Sequence, residues 1–272
     1  MQDRALQWRA TGKRIAFVPT MGFLHAGHAA LLADARRRGD VLVLSIFVNP
    51  TQFGPNEDFD RYPRDVPRDL ALAEREGADV VFLPTRESMY PAGHSTAVDV
   101  AGVAEPLEGE KRPGHFRGVA TVVLKLFQCV QPHVAVFGQK DWQQLAVIRR
   151  MTVDLDLPVE IVGHPIVREP DGLALSSRNV YLSPDERARA LSLSRGLANA
   201  EAMFKKGERR AAALVGAATS EIDSAKAGGI EYVALVDPDT MRAVDQAGDR
   251  ALMALAVRVG KTRLIDNRLL EQ

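Results

Sequence analysis

Two histidines three residues apart, His25 and His28, stand in the segment Pro19–His28, which follows a short apolar run and opens an amphipathic one. Imidazole N–H groups can donate hydrogen bonds to phosphate oxygens, and the N-terminus of a helix favours anions. Gly22 and Gly27 let backbone approach a ligand closely. One histidine in such a place is more often a cap or a surface residue. Two of them, after a strand and a glycine, favour an anion-binding interpretation.

A second polar segment, Phe137–Gln144, also lies between a predicted strand and a predicted helix. Lys140 could reach a phosphate, and Asp141 could accept hydrogen bonds from ribose hydroxyls. Gln144 is one helical turn beyond Lys140, so both side chains are expected on one face. A charged helix cap is the alternative interpretation.

A third segment, Leu175–Asn179, follows the polar stretch Arg168–Gly172. Small hydroxyls beside Arg178 suit the clamping of a phosphate by a mobile segment, and a hinge linker is the alternative. Residues 47–53 and 108–118 form two further polar segments. Loops often carry functional residues, but each of these segments considered alone is more typical of a solvated loop than of a binding site.

Short strands and helices alternate along the first part of the chain, which predicts a parallel sheet in an α/β domain. The predicted strands are 14–19, 41–48, 80–83, 134–137 and 159–162, and the predicted helices are 28–38, 65–76, 119–130 and 141–155. The later part predicts two helices, the first opened by a capping box at Ser183–Glu186, followed by strands at 232–236, 253–259 and 263–266. We therefore expect domains at 1–172 and 173–272, the second a smaller α+β unit.

Composition excludes several classes of function. The 272 residues hold 35 basic and 35 acidic side chains and only 6% aromatics, which disfavours nucleic-acid binding. A polar N-terminus and apolar runs far short of a bilayer span predict no signal peptide and no membrane segment. The single cysteine, Cys129, fits a reducing, cytoplasmic setting. Motifs for P-loops, dinucleotide-binding Rossmann folds, zincins and α/β-hydrolases are absent from the sequence.

The three polar segments and the predicted α/β pattern alone indicate an α/β transferase that uses ATP. Two alternatives stay open at this point. One is a nucleotidylyltransferase that attaches AMP or CMP to a phosphorylated small molecule, and the other is a non-catalytic nucleotide- or RNA-binding module.

The spacing His-x-Gly-His is similar to the "HIGH" signature of the nucleotidylyltransferase-like superfamily. Taken together, the motifs over roughly residues 12–268 resemble those of the pantoate–β-alanine ligases, in that family's order. They are PTMGFLHAGH, FVNPTQF, RYPR, MYP, RPGHFRGVATVVLKLF, FGQKDWQQL, VREPDGLALSSRN and GKTRLIDN. Gln139 and Trp142 depart from that pattern, where Glu and Tyr are common.

The resemblance implies a carbon–nitrogen ligase in which pantoate and ATP form pantoyl adenylate and pyrophosphate, after which β-alanine displaces AMP to give pantothenate. It also implies a Rossmann-like N-terminal domain, a smaller C-terminal lid, Mg²⁺ as cofactor, and a homodimer.

Site residues follow from the resemblance position by position. The catalytic candidates are His25, His28, Lys140 and Arg178. The candidates for ATP binding are Met21, Gly22, Phe23, Leu24, His25, Ala26, Gly27, His28, Gly138, Gln139, Lys140, Asp141, Val167, Leu175, Ser176, Ser177 and Arg178. The candidates for pantoate or β-alanine are Gln52 and Gln144, then Asn49, Arg112 and His115. Metal-ligating residues are not identified, although Asp69 is a candidate neighbour of Mg²⁺.

Overall fold

A computed structural model of the chain describes residues 1–55 and 57–272. They form two compact units, one of residues 1–139 with 143–165 and the other of residues 140–142 with 166–272. We refer to these as the first and second units. The domain boundary expected after residue 172 stays a prediction, because compactness alone does not define domains that fold independently.

The first unit contains a parallel sheet in the order β3-β2-β1-β4-β5, which confirms the predicted α/β class. Its strands are β1 (Ile15–Thr20), β2 (Val41–Ile46), β3 (Val80–Phe82), β4 (Val134–Gly138) and β5 (Glu160–His164). The strand β2 is buried along its whole length. Burial on both faces explains its unbroken apolar sequence.

Helices separate these strands. They are α1 (Gln2–Ala10), α2 (Ala26–Arg36), α3 (Val66–Arg75), α4 (Arg86–Met89), α5 (Glu108–Lys111), α6 (His115–Val130) and α7 (Trp142–Asp154). The helix α6 begins four residues before the predicted start, because Gly114 adopts a left-handed conformation (φ +81°) that lets the chain enter the helix at His115. The sequence did not predict α1, where only Ala5 is buried and the apolar periodicity is weak.

The second unit contains an antiparallel sheet in the order β6-β7-β8, formed by β6 (Gly229–Val236), β7 (Arg250–Val259) and β8 (Thr262–Glu271). Two helices, α8 (Pro184–Lys205) and α9 (Ala211–Ser224), share one apolar core with this sheet. The capping box at the start of α8 is confirmed, since Ser183 and Glu186 each accept a hydrogen bond from the other's backbone N–H. These elements confirm the smaller α+β unit, and a lid function for it stays a prediction. Within the described residues, no helix is long and apolar enough to cross a membrane.

A close backbone approach joins α6 to the one-turn 3-10 helix at Pro50–Gln52, which follows β2. A Cβ at Gly118 would lie 2.3 Å from the carbonyl oxygen of Thr51 and 2.7 Å from the Cα of Gln52. Backbone atoms cannot move aside as a flexible side chain can. Glycine at position 118 is therefore required for α6 to pack against the segment that carries Gln52.

We predict that Gly118→Ala lowers the free energy of unfolding by about 1–3 kcal/mol, because the added methyl group must displace packed backbone. Gly216→Ala in α9 is the matched control, since a Cβ there meets no atom within 4 Å. The free energy of unfolding of this control should equal that of the wild type or exceed it by about 0.5–1 kcal/mol. Urea denaturation of both variants measures the difference, and equal stabilities would contradict the proposed close packing.

Candidate active site

The backbone between β1 and α2 is held by a buried carboxylate. After β1 the chain takes up positive φ angles at Gly22 (+86°) and Phe23 (+50°). The two oxygens of Asp69, in the first turn of α3, accept hydrogen bonds from the N–H groups of Phe23 (2.8 Å) and Leu24 (2.7 Å). A Cβ on Gly22 would lie 2.8 Å from Ile46 and 3.0 Å from Asp69, so this position also excludes larger residues. The structure thus gives Asp69 a role as the anchor of this loop, which we call the histidine loop (residues 20–28).

The two histidines form a reciprocal cap at the start of α2. Nδ1 of His25 accepts a hydrogen bond from the N–H of Gly27 (3.1 Å), and Nδ1 of His28 accepts one from the N–H of His25 (3.2 Å). Because an accepting Nδ1 carries no proton, each neutral ring has its proton on Nε2. The rings lie side by side, with centroids 4.1 Å apart. The histidines therefore cap the helix, and the binding of an anion through their Nε2–H groups stays a prediction.

Asn49 organises the segment that follows β2. Its Oδ1 accepts hydrogen bonds from the hydroxyls of Tyr90 (2.7 Å) and Thr51 (3.0 Å). Its Nδ2 donates to Oε1 of Gln52 and to the carbonyl of Gly118, both at 3.1 Å. Asn49 is buried and both ends of its amide are engaged within the protein.

These bonds determine which end of the Gln52 amide is available for a ligand. Its Oε1 is occupied by Asn49, whereas its Nε2 lies 3.1 Å from the sulfur of Met21, in the histidine loop. Gln52 is therefore oriented to donate, which suits a substrate that carries carboxylate and hydroxyl oxygens. The structure brings Met21 and Gln52, both predicted from the sequence, into contact within the first unit.

Arg112 and His115 hold the main chain of Gln52. Arg112 makes a bidentate ion pair with Glu57 through Nε (2.7 Å) and Nη2 (2.6 Å). The remaining guanidinium nitrogen, Nη1, lies 3.0 Å from Nε2 of His115. Arginine can only donate, so Nε2 of His115 accepts and its Nδ1–H donates to the carbonyl of Gln52 (2.8 Å). Both residues were predicted to contact substrate, and the structure shows them bonded to the main chain of Gln52, itself a predicted substrate ligand.

Burial and charge fix the protonation states in this network. Burial, together with the positive charge of Arg112, lowers the pKa of His115 from 6.5 to about 4, so the ring is neutral at pH 7. Burial alone would raise the pKa of Glu57, but the hydrogen bonds and charge of Arg112 outweigh it and hold that pKa below its ordinary 4.5. The network therefore combines the charged Arg112–Glu57 pair with a neutral imidazole.

Gly138 ends β4, and Gln139, the first residue of the following 3-10 helix, donates to the carbonyl of Gly163 on the neighbouring strand (3.3 Å). In α7 the two adjacent glutamines differ. Gln143 is buried and bonded to three backbone groups between residues 103 and 108, whereas the predicted ligand Gln144 is half-buried. A structural role for Gln143 leaves Gln144 as the better candidate for binding substrate.

The other predicted site residues belong to the second unit. The backbones of Val167 and Leu175 are hydrogen-bonded at the base of a short hairpin (3.0 Å). Ser176 then caps the one-turn helix at Ser177–Tyr181 by accepting from the N–H of Arg178 (3.2 Å). Lys140 and Ser176 line one small cavity, together with Asn179 and Asp266. The structure thus brings together two of the three polar segments, those containing Lys140 and Ser176.

The roles of Asp69, Glu57 and Tyr90 in this region were not predicted from the sequence. Asp69 did carry a signal, because it lies on the face of α3 that also presents Leu72 and Ala73 to the core. A lone carboxylate on an apolar face must find a partner there. No comparable signal marks Glu57.

We predict that Asp69→Asn weakens ATP binding about tenfold or more. An amide has one accepting oxygen, so one buried N–H of the histidine loop would lose its partner, at about 1–3 kcal/mol. Calorimetric titration with ATP measures the change. Asp65→Asn, at the N-cap of the same helix, is the control, because Asn caps as well as Asp. Equal ATP affinities for the two variants would contradict the anchoring role.

We also predict that His115 makes stability depend on pH. The unfolded chain takes up a proton near pH 6.5, whereas the folded chain stays neutral at His115 down to about pH 4. The unfolded state therefore binds more protons in this window, and the free energy of unfolding falls by about 2 kcal/mol from pH 7 to pH 5 through this group.

Denaturation of the wild type and of His115→Asn across this range isolates the contribution, because the other histidines cancel in the difference. Glu57 does not interfere, since its lowered pKa removes stability only below its ordinary 4.5. Identical pH dependence of the two proteins would show that His115 is not buried as a neutral ring.

Comparisons with known proteins identify the family of the chain. The family model described as pantoate-beta-alanine ligase matches residues 1–269. A pantothenate synthetase of Geobacter sulfurreducens is 56% identical over 270 residues, covering 99% of this chain and 95% of the relative. The crystal structure of pantothenate synthetase from Thermus thermophilus superposes with a TM-score of 0.93 at 47% identity, covering 98% of each chain.

A third similar protein is the pantoate-beta-alanine ligase of Francisella tularensis, solved in complex with beta-gamma ATP and beta-alanine. It has a TM-score of 0.79 and 33% identity, covering 100% of this chain and 96% of that one. The family match spans nearly the whole sequence, and the similar structures cover both compact units. The chain belongs to the pantoate–β-alanine ligase family.

Proposed function

We propose that the chain catalyses the reaction of its family, the ATP-dependent condensation of pantoate with β-alanine to pantothenate. The observation that carries this proposal is the Gln52 amide, oriented as a donor and held against Met21 of the histidine loop. It is an oxygen-recognising group beside a candidate nucleotide-binding segment. A nucleotidylyltransferase would explain the histidines but not this glutamine. Intact candidate groups in all three polar segments disfavour a non-catalytic binding module.

The first step is the attack of the pantoate carboxylate on the α-phosphorus of ATP. One P–O bond forms as another breaks, which gives pantoyl adenylate and releases pyrophosphate. Such a step depends on holding the reactants in line and on meeting the negative charge that spreads over the phosphoryl oxygens. Nε2–H donors and cationic side chains meet that need.

The second step is the attack of the β-alanine amine on the acyl carbon of the adenylate. The new C–N bond forms, the amine loses a proton, and AMP leaves. We do not expect a covalent intermediate on Cys129, because its thiol is half-buried and burial raises its pKa. A reactive thiol needs the opposite shift.

Each predicted site residue receives a role in this reaction. We propose that residues 21–28, Gly138, Gln139, Lys140, Asp141, Val167, Leu175, Ser176, Ser177 and Arg178 contact ATP, with His28 as proton donor. Gln52 and Gln144 bind pantoate. Asn49, Arg112 and His115 contribute to the substrate site by orienting Gln52, as their hydrogen bonds support.

Mg²⁺ is proposed as the cofactor. Among residues 1–55 and 57–272, no group of three His, Cys, Asp or Glu side chains is arranged to hold a metal ion. Both oxygens of Asp69 also accept backbone hydrogen bonds. The lack of such a group among the described residues, and the engagement of Asp69, fit an ion that binds together with ATP and keeps water as its other ligands. Bound to the phosphates in this way, the ion would neutralise part of their charge. A homodimer is proposed on the family resemblance, and a cytoplasmic location on the single cysteine, Cys129.

The test is isotope exchange of pyrophosphate into ATP. We expect exchange with ATP and pantoate alone, and AMP release only after β-alanine is added. Gln52→Ala should raise the KM for pantoate about 5–150-fold, because a hydrogen bond to a charged oxygen contributes about 1–3 kcal/mol. Its ATP affinity should stay within a few-fold of the wild type.

Gln7→Ala is the matched control, because Gln7 is an exposed glutamine of α1 outside every predicted site, and it should change neither constant. Exchange that needs β-alanine would refute the stepwise reaction. A stable nucleotide conjugate as product would instead establish a nucleotidylyltransferase. A Gln52 variant with weak ATP binding but normal pantoate binding would refute the assignment of Gln52.

A further inference from the structure

The motif GKTRLIDN at the C-terminal end has no role in the reaction as proposed so far. Its last residues, Asp266 and Asn267, lie on β8, and both are buried. Buried polar side chains need partners, and these two bind segments that contain candidate ATP ligands.

Asn267 holds the main chain of Lys140. Its Nδ2 donates to the carbonyl oxygen of Lys140 at 2.8 Å. Two residues further on, Nε1 of the buried Trp142 donates to the carbonyl of Pro238 at 2.7 Å. These bonds attach residues 140–142 to the second unit, although their flanking residues belong to the first.

Asp266 holds the hairpin that leads to Leu175–Arg178. Its carboxylate makes a bidentate ion pair with the guanidinium of Arg168, at 2.7 and 2.9 Å. Arg168 also donates to the carbonyl of Gly172 (3.1 Å). The N–H of Asn267 donates to the same carboxylate at 2.7 Å. Two adjacent residues of one strand therefore hold both candidate phosphate-binding segments of the second unit.

We infer that Asn267 is a positioning residue for Lys140, which rests on the proposed role of Lys140 at the phosphates of ATP. The Nδ2–carbonyl bond fixes the backbone from which the long, flexible lysine side chain extends. A lysine side chain loses conformational entropy when it binds a phosphate. Because the backbone of Lys140 is already fixed, no further backbone entropy has to be lost on binding. Asn267 itself does not contact the reacting atoms.

The test is a double-mutant cycle of Asn267→Ala and Lys140→Ala, read as the rate of pyrophosphate exchange. We expect Asn267→Ala to slow exchange about tenfold or more, with the KM for pantoate within twofold of the wild type. In the Lys140→Ala background the same change should slow exchange less than twofold, because the lysine it positions is absent.

Arg268→Ala is the control for general damage to β8. Arg268 pairs with Glu201 of α8, so its loss should lower the melting temperature and leave exchange within twofold of the wild type. Asn267→Asp keeps the volume but replaces the donor with an acceptor, and it should slow exchange as Asn267→Ala does. It provides a second variant if the alanine variant fails to fold.

Multiplicative effects of the two substitutions would overturn the inference, as would exchange within twofold of the wild type in a folded Asn267 variant. The same cycle read as ATP affinity by calorimetry tests the positioning of Lys140 without turnover. A wild type that binds ATP but shows no pantoate-dependent exchange would refute the proposed function alone. A wild type that binds no ATP would overturn both.

Discussion

The buried carboxylate of Asp69 is the constraint on which the histidine loop depends. Phe23 has a positive φ angle, an arrangement that a non-glycine residue adopts only when its surroundings enforce it. Two hydrogen bonds from consecutive N–H groups to one carboxylate supply that enforcement. The direction of the chain at residue 24 then sets where α2 begins, and with it the reciprocal cap formed by His25 and His28.

The same device recurs at two other candidate site residues. A buried polar side chain donates a hydrogen bond to the main-chain carbonyl of each: His115 donates to Gln52, and Asn267 donates to Lys140. Bonds to backbone fix a segment without using the side chain that must meet the substrate. Groups held in this way lose little freedom on binding, which favours both affinity and alignment.

Local patterns were sufficient for the strands and for the longer helices α2, α3 and α6–α9, but not for α1, α4 and α5. Unbroken apolar runs predicted the strands of the parallel sheet, and polar residues at strand ends predicted the histidine loop and the segment of Lys140. The supporting bonds could not be predicted, because their partners are far apart in sequence. Asp69 lies 46 residues from Phe23 and Arg112 lies 55 from Glu57. No spacing rule relates such pairs, and only the folded sheet brings them together.

Electrostatics divides the candidate groups into two kinds. In the first unit, the two candidate histidines accept backbone hydrogen bonds through Nδ1, the Gln52 amide is oriented to donate, and the charge of Arg112 is paired with Glu57. Among these groups, the amide of Gln52 is uncharged and the guanidinium of Arg112 is already neutralised by its partner. The candidate cations for a triphosphate, Lys140 and Arg178, belong to the second unit. A chain with no net charge can therefore bind a polyanion, provided that its few cations are held in place. The hydrogen bonds that hold the backbone of these segments in the second unit are then as important as the charges of the lysine and the arginine.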